Sequence, residues 1–173
     1  QVHIAFSEAR EGLPKKGQQA ARVTGSPIRA VPESLPEREE TCHRFGLDPE
    51  RRVLLVAGGS QGSMALNDLV LKALQDVYTV RKNGSGKNVS TESRPLPDGW
   101  QLLWITGSGN FPSIDNDLSS IGGPRWVRAV PYIEDMPLAL GITDLAVSRS
   151  GAMTTAEFLA WGIPAILIPL PTS

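Results

Sequence analysis

Residues 53–70 read VLLVAGGSQGSMALNDLV. An apolar run enters a turn holding Gly58, Gly59 and Gly62, and apolar residues then return at helical spacing. RVLLVA (52–57) is continuously apolar, the pattern of a strand buried on both faces rather than one with a wet side. Leu66, Leu69, Val70, Ala73, Leu74 and Val77 recur every three or four residues, which predicts an amphipathic helix with its stripe against a sheet. A strand, a glycine-rich turn and a helix in that order form the first unit of an α/β domain.

The same alternation continues. WQLLWITG (100–107), WVRAV (126–130), DLAVS (144–148) and AILIPL (165–170) are short apolar strands. AMTTAEFLAW (152–161) has helical spacing, with Gly162 as its stop and Pro164 blocking continuation. The expected fold is a Rossmann-like parallel sheet with helices on both faces, over residues 51–173. Residues 1–50 are weakly patterned, with prolines at 27, 32 and 36, and suggest an interdomain linker with a short helix at 33–45. RKNGSGKNVSTESRPLPDG (81–99) is polar and rich in Gly, Ser and Pro, the composition of a surface insertion.

The totals exclude several classes. The 173-residue chain is 40% hydrophobic and 20% charged, as soluble globular domains are. A net charge of −1 leaves no excess of cations for a nucleic-acid backbone. No apolar run spans a bilayer, and the longest, IPAILIPL, is interrupted by prolines. The single cysteine, Cys42, has no internal disulfide partner, which suits a reducing compartment. His3 and His43 alone make no zinc site, so no metal is expected. Asn88-Val89-Ser90 matches a glycosylation sequon, which matters only in a secreted chain. The chain opens at Gln1 and stops at IPLPTS, and the expectation is a fragment of a longer protein.

Two turns carry the candidate chemistry. In GGSQGS, glycines let the backbone approach a ligand closely, and the first helical N–H groups have no partner of their own. With the helix dipole, they suit a diphosphate. Ser60 and Ser63 add hydroxyls there, and Ser63 is also an N-cap candidate. The motif lacks the Lys of a P-loop and departs from G-x-G-x-x-G, so a tight turn that binds nothing fits equally well. SRSGAMTTAE (148–157) lies at the same sheet edge, where open α/β sheets bind ligands. Glu157 there suits two ribose hydroxyls, or it closes a capping box on the Thr154 amide. Arg149 is a phosphate partner or a surface ion-pair residue. Tyr132 and Ile133 follow a strand at the ligand edge, where an apolar side chain packs on a base or simply joins the core. Glu134 and Asp135 are an acidic pair at a helix start rather than a catalytic dyad.

Taken together, GGSQGS…LN, the segment VTGSPIR (23–29) and the run YIEDMPLALGITDLAVSRSGAMTTAEFLAWGIPAILIPL (132–170) resemble the MurG family. These are UDP-N-acetylglucosamine–N-acetylmuramyl-(pentapeptide) pyrophosphoryl-undecaprenol N-acetylglucosamine transferases. The resemblance covers residues 1–80 and 100–170. It implies the C-terminal half of a GT-B glycosyltransferase, in which this domain binds UDP-GlcNAc without a metal or other cofactor. By position, Arg29 and Ser60 meet the donor near its phosphates, with Gln61 beside them. Ile133 takes the uracil, Ala152, Met153 and Thr154 line the diphosphate and sugar pocket, and Glu157 holds the ribose. Met153 stands where Leu is frequent.

Further expectations rest on that resemblance. The family's N-terminal domain carries the acceptor site and the membrane-facing patch, and its sugar-reading glutamine pair would follow IPLPTS. None of these is within the chain, so it holds no catalytic residue, is expected to be inert alone, and leaves the choice of sugar open. The implied intact enzyme is an inverting transferase acting on a lipid-linked acceptor, peripheral on the inner face of the plasma membrane, or in a plastid. The competing readings are a donor-binding subunit of a split glycosyltransferase and a non-catalytic nucleotide-sugar-binding module.

Overall fold

The fold is described from a computed structural model, covering residues 1–59, 62–83 and 96–169, with only the backbone of 77–83. A short unit comes first: β1 (Val2–Ile4), a 3-10 turn (Ser7–Arg10), α1 (Lys15–Ala20) and β2 (Ala21–Val23). β1 and β2 pair in parallel, Ile4 opposite Val23. This β-α-β arrangement was not legible in the weakly patterned N-terminal segment. An extended stretch, 24–37, leads to α2 (Arg38–Phe45). The helix expected from 33 begins at 38, because Pro36 drives the residue before it away from helical geometry.

The main domain follows as β3 (Arg52–Ala57), α3 (Met64–Asn83), β4 (Trp100–Ile105), α4 (Phe111–Ser120) and β5 (Val127–Val130), then α5 (Met136–Gly141), β6 (Thr143–Arg149), α6 (Ala152–Trp161) and β7 (Ala165–Ile168). All five strands, β3 to β7, are parallel, in the order β5-β4-β3-β6-β7. The α/β expectation holds. β7 stops at Ile168 before Pro169, which has no N–H for the ladder. α3 runs to Asn83, into the stretch read as an insertion, and residues 84–95 lie outside the described residues.

Alternation along the strands separates two cores. Val53, Leu55 and Ala57 of β3 pack with Leu103, Ala146, Phe158 and Ile142 beneath α2, α5 and α6. Val56 turns the other way, with Leu102, Trp104, Leu66 and Ile114 beneath α3 and α4. Leu55, Leu103 and Trp104 are wholly buried. Each such side chain contributes about 1.5–3 kcal/mol. The predicted stripe on α3 is narrower than expected: Leu66 and Leu74 are buried, but Leu69 is 54% exposed and Ala73 faces solvent. Asn67 is buried in their company instead.

The N-terminal edge of this sheet is tied by one arginine. Arg38 donates to the carbonyls of Pro49, Arg51 and Ile142 and to Asp144 Oδ2 at 2.8–3.2 Å. Asp144 Oδ2 also accepts the Val53 N–H at 2.8 Å. The stitching therefore lies at the opposite end of the strands from the turns that carry the candidate chemistry. α6 ends as predicted: Gly162 takes φ +64°, and the Ile163 and Gly162 amides donate back to Phe158 and Leu159 in a Schellman pair.

Candidate functional site

From β3 the chain moves outward through β4 to β5, then crosses back to lay β6 on the other side of β3. Connections thus leave the carboxyl ends of β3 and β6 in opposite directions, which opens a crevice between them. Ser148 on β6 is buried there, and its hydroxyl donates to the Ala57 carbonyl on β3 at 2.7 Å. The described residues of both motif turns, 58–59 with 62–63 and 150–151, sit on this edge.

The glycines of the first turn have distinct structural duties. A Cβ on Gly58 would meet Ser63 Cβ at 2.8 Å and the Ser63 amide closer still. Gly62 takes φ +76°, and a Cβ there would run into the Thr106 carbonyl oxygen. The turn is pressed onto the end of β4. Asn67 Nδ2 donates to Thr106 O at 2.8 Å, Trp104 Nε1 donates to Asn67 Oδ1 at 3.0 Å, and Asn110 Nδ2 donates to Thr106 O at 3.1 Å. Ser63 caps α3, its hydroxyl accepting the Leu66 N–H at 3.4 Å. Gly59, at φ +96°, has nothing within 4 Å of a Cβ and borders the crevice. Ser60 and Gln61 lie outside the described residues.

The second turn is built differently. Gly151 is the N-cap of α6 at φ −75° and ψ 139°, and no side chain caps the helix. Its first-turn amides therefore face outward without a protein acceptor among the described residues. The helix begins two residues before Thr154, with Gly151 as its N-cap, so the capping-box reading of Glu157 fails: the Thr154 amide is already inside the helix. Among the described residues Glu157 accepts no hydrogen bond. Thr154, Glu157, Phe158 and Trp161 share the side of α6 that borders the crevice.

A cleft of about 270 Å³ results. Ligand clefts span roughly 300–1,000 Å³, so this one has the scale of a nucleoside rather than a whole nucleotide sugar. Its apolar lining includes Ala57, Ile105, Ile133, Leu140 and Phe158, and its polar groups include Arg29, Thr154 and Glu157. Arg29 comes from the extended stretch 24–37, which crosses the mouth. Of the residues named from sequence, Arg29, Gly59, Tyr132, Ile133, Glu134, Thr154 and Glu157 meet in this cleft. Gly58 and Gly62 lie behind it, and Ala152 and Met153 open α6 on the exposed side. Arg149 ends β6 without reaching the cleft. Trp161, Phe158 and Leu140 were not foreseen as lining. Trp161 stands four positions after Glu157 and Phe158 four after Thr154, the helical spacing that would have found them.

Residues 53–173 match the glycosyltransferase family 28 C-terminal domain. The chain belongs to that family. Among curated relatives, a UDP-N-acetylglucosamine–N-acetylmuramyl-(pentapeptide) pyrophosphoryl-undecaprenol N-acetylglucosamine transferase of Halalkalibacterium halodurans is 34% identical over 170 residues, covering 98% of this chain and 41% of its own length. A transferase of the same name from Chlorobium luteolum is 36% identical, over 99% of this chain and 40% of its own. The chain thus spans about two fifths of these relatives. The crystal structure of Acinetobacter baumannii MurG superposes with a TM-score of 0.55 at 20% identity, over 88% of this chain and 37% of that one. A glycosyltransferase from Rickettsia africae gives 0.56 at 13% identity, over 87% and 38%. The solved structures share the fold, and the MurG resemblance seen in the sequence motifs stands.

Among the described residues, two titratable groups outside the cleft are shifted. Burial pushes the Cys42 thiol up, Arg38 opposing and Asp144 and Asp48 reinforcing. Glu8, on the 3-10 turn, is held below its usual value by backbone and Ser7 hydrogen bonds. Among the described residues no three His, Cys, Asp or Glu side chains gather as a metal site, and no helix is long and apolar enough to cross a membrane.

Proposed function

We propose that the cleft between β3 and β6 binds the uridine diphosphate part of UDP-GlcNAc, and that the protein carrying this domain transfers GlcNAc to a lipid-linked muramyl-pentapeptide acceptor. The observation that supports this reading is the meeting of Arg29, Ile133, Thr154 and Glu157, from three separate segments, at one topological switch point. The uracil would lie on the apolar floor against Ile133. Glu157 would accept both ribose hydroxyls, a charge-assisted pair of roughly 1.5–3 kcal/mol per bond. The diphosphate would run toward the first-turn amides of α6 and the Arg29 guanidinium, with Ser60, Gln61, Ala152 and Met153 alongside.

This arrangement stabilises a leaving group. When the anomeric C–O bond breaks, negative charge grows on the β-phosphate, and preorganised amides with a guanidinium lower the barrier there. The acceptor hydroxyl attacks the opposite face of the sugar with inversion, and it needs a general base. This chain supplies the first half of that machinery. The base and acceptor contacts belong to the rest of the protein, which would sit peripherally on the cytoplasmic face of the membrane.

Calorimetric titration of the full-length protein with UDP-GlcNAc, UDP-glucose and UDP tests the reading. UDP and UDP-GlcNAc are expected to bind, and Glu157→Ala to weaken both by about tenfold or more. Absence of UDP binding in a folded protein would overturn it.

A further inference from the structure

We infer that Gly141 and Leu35 form a notch that sets the position of Arg29, making them positioning residues for the phosphate end of the ligand. Residues 29–36 form no helix or strand, and no backbone hydrogen bond ties them to the domain among the described residues. Side-chain packing must fix this segment instead. A Cβ placed on Gly141, at the end of α5, would meet Leu35 Cδ1 at 2.6 Å and Trp161 at 3.8 Å. Leu35 therefore sits in the space that the missing side chain leaves. Gly141 does not take a positive φ, so its backbone makes no demand for glycine, and the notch itself is what glycine provides.

The geometry connects this notch to the cleft in two ways. Trp161 touches the notch and also lines the cleft beside Glu157. Pro32 lies on the path between Leu35 and Arg29 and fixes its own φ, and Pro36 restricts the backbone of Leu35 itself. A Leu35 side chain forced out of the notch would release the segment it anchors, and with it the position of Arg29 at the cleft. The uracil and ribose contacts, on β5–α5 and α6, would be left in place.

This inference rests on the proposal that the cleft takes a uridine diphosphate, and the test separates the two. Affinities of the full-length protein for UDP and for uridine are measured side by side. Gly141→Ala is expected to weaken UDP by about three- to tenfold, part of the loss of a charged contact, while uridine stays within about twofold. Leu35→Ala, a change at a partly exposed site that keeps the fold, is expected to lower the same UDP-to-uridine ratio by releasing the anchor. In an Arg29→Ala background, Gly141→Ala is expected to leave the ratio unchanged, because the residue it positions is gone. Equal losses for uridine and UDP, or an undiminished effect in the Arg29→Ala background, would overturn the notch and leave the cleft assignment intact. Failure of the unmutated protein to bind either ligand would instead sink the cleft assignment, and the notch with it.

Discussion

The turns after β3 and after β6 look alike in sequence, each a strand running through glycine into a helix, yet they differ in what glycine does. In the first, Gly58 and Gly62 are demanded by the fold: side chains there would strike Ser63 and the Thr106 carbonyl. In the second, Gly151 has ordinary extended geometry, and a Cβ would find only Thr154 Oγ1 at 3.9 Å. The glycine-rich turn is mainly a joint between α3 and the end of β4. The glycine-poor turn opens a helix whose Thr154, Glu157, Phe158 and Trp161 line the cleft. A run of glycines therefore marks close backbone packing before it marks a phosphate.

The contrast is sharpest in stability. Gly62→Ala combines a left-handed φ with a collision against backbone, and about 3–5 kcal/mol should be lost in denaturant unfolding. Gly151→Ala meets neither problem and should cost about 0.5–1 kcal/mol, the difference between those residues as N-caps. Similar losses for both would mean that the first turn relaxes freely and the comparison is mistaken. Asn67→Ala comes next, at about 2–3 kcal/mol, because it orphans the buried Trp104 indole N–H and one donor to Thr106 O. Thermal unfolding of that variant, beside an Asn67→Asp chain that keeps the acceptor for Trp104, would show whether the clamp or mere volume matters.

Binding should divide the turns the other way. Glu157→Ala should shift unfolding by no more than about 0.5 kcal/mol, since the capping box it was weighed for does not exist, while UDP affinity falls. A large loss of stability in Glu157→Ala would restore a structural role for that carboxylate.

The legible parts of the sequence were those with dense local signals. VLLVA (53–57) and LLWI (102–105) are unbroken apolar runs, and AMTTAEFLAW is followed by a glycine that adopts the left-handed cap. α4 went unseen because FPSIDNDLSS buries only Ile114 and Leu118, too few for a stripe. β1 and β2 are three residues each and bury little beyond Ile4 and Ala21. In the cleft, Ile133 was readable from its place just after a strand and Glu157 from its place in the helix that follows one, whereas Thr154 came through the family resemblance. The role of Asn67 was not, because a polar residue on an apolar face signals a partner only once Trp104 and Thr106 are placed opposite it. Nor was the Leu35 notch, a contact across more than a hundred residues.

The smallest effect asks whether the two turns belong to one cooperative unit. Cys42, on α2, lies fully buried in the core that α2, α5 and α6 share, across the sheet from the α3 joint. Burial raises its thiol pKa above the ordinary value of 9.0, so the native state favours the neutral form. The stabilisation this gives is complete below that value and is lost as the pH climbs through the raised one, when the unfolded chain gains by ionising and the folded chain does not. Native Cys42 should then be slow to alkylate, reacting only when the α6 face opens. If the sheet opens as a whole, Gly62→Ala should speed that reaction in proportion to its loss of global stability, although it strikes the opposite face. Gly151→Ala, which begins α6 itself, should change it far less. Faster alkylation in Gly151→Ala than in Gly62→Ala would show that the α6 face opens on its own, and that the cleft is carried by a locally independent layer rather than by the sheet.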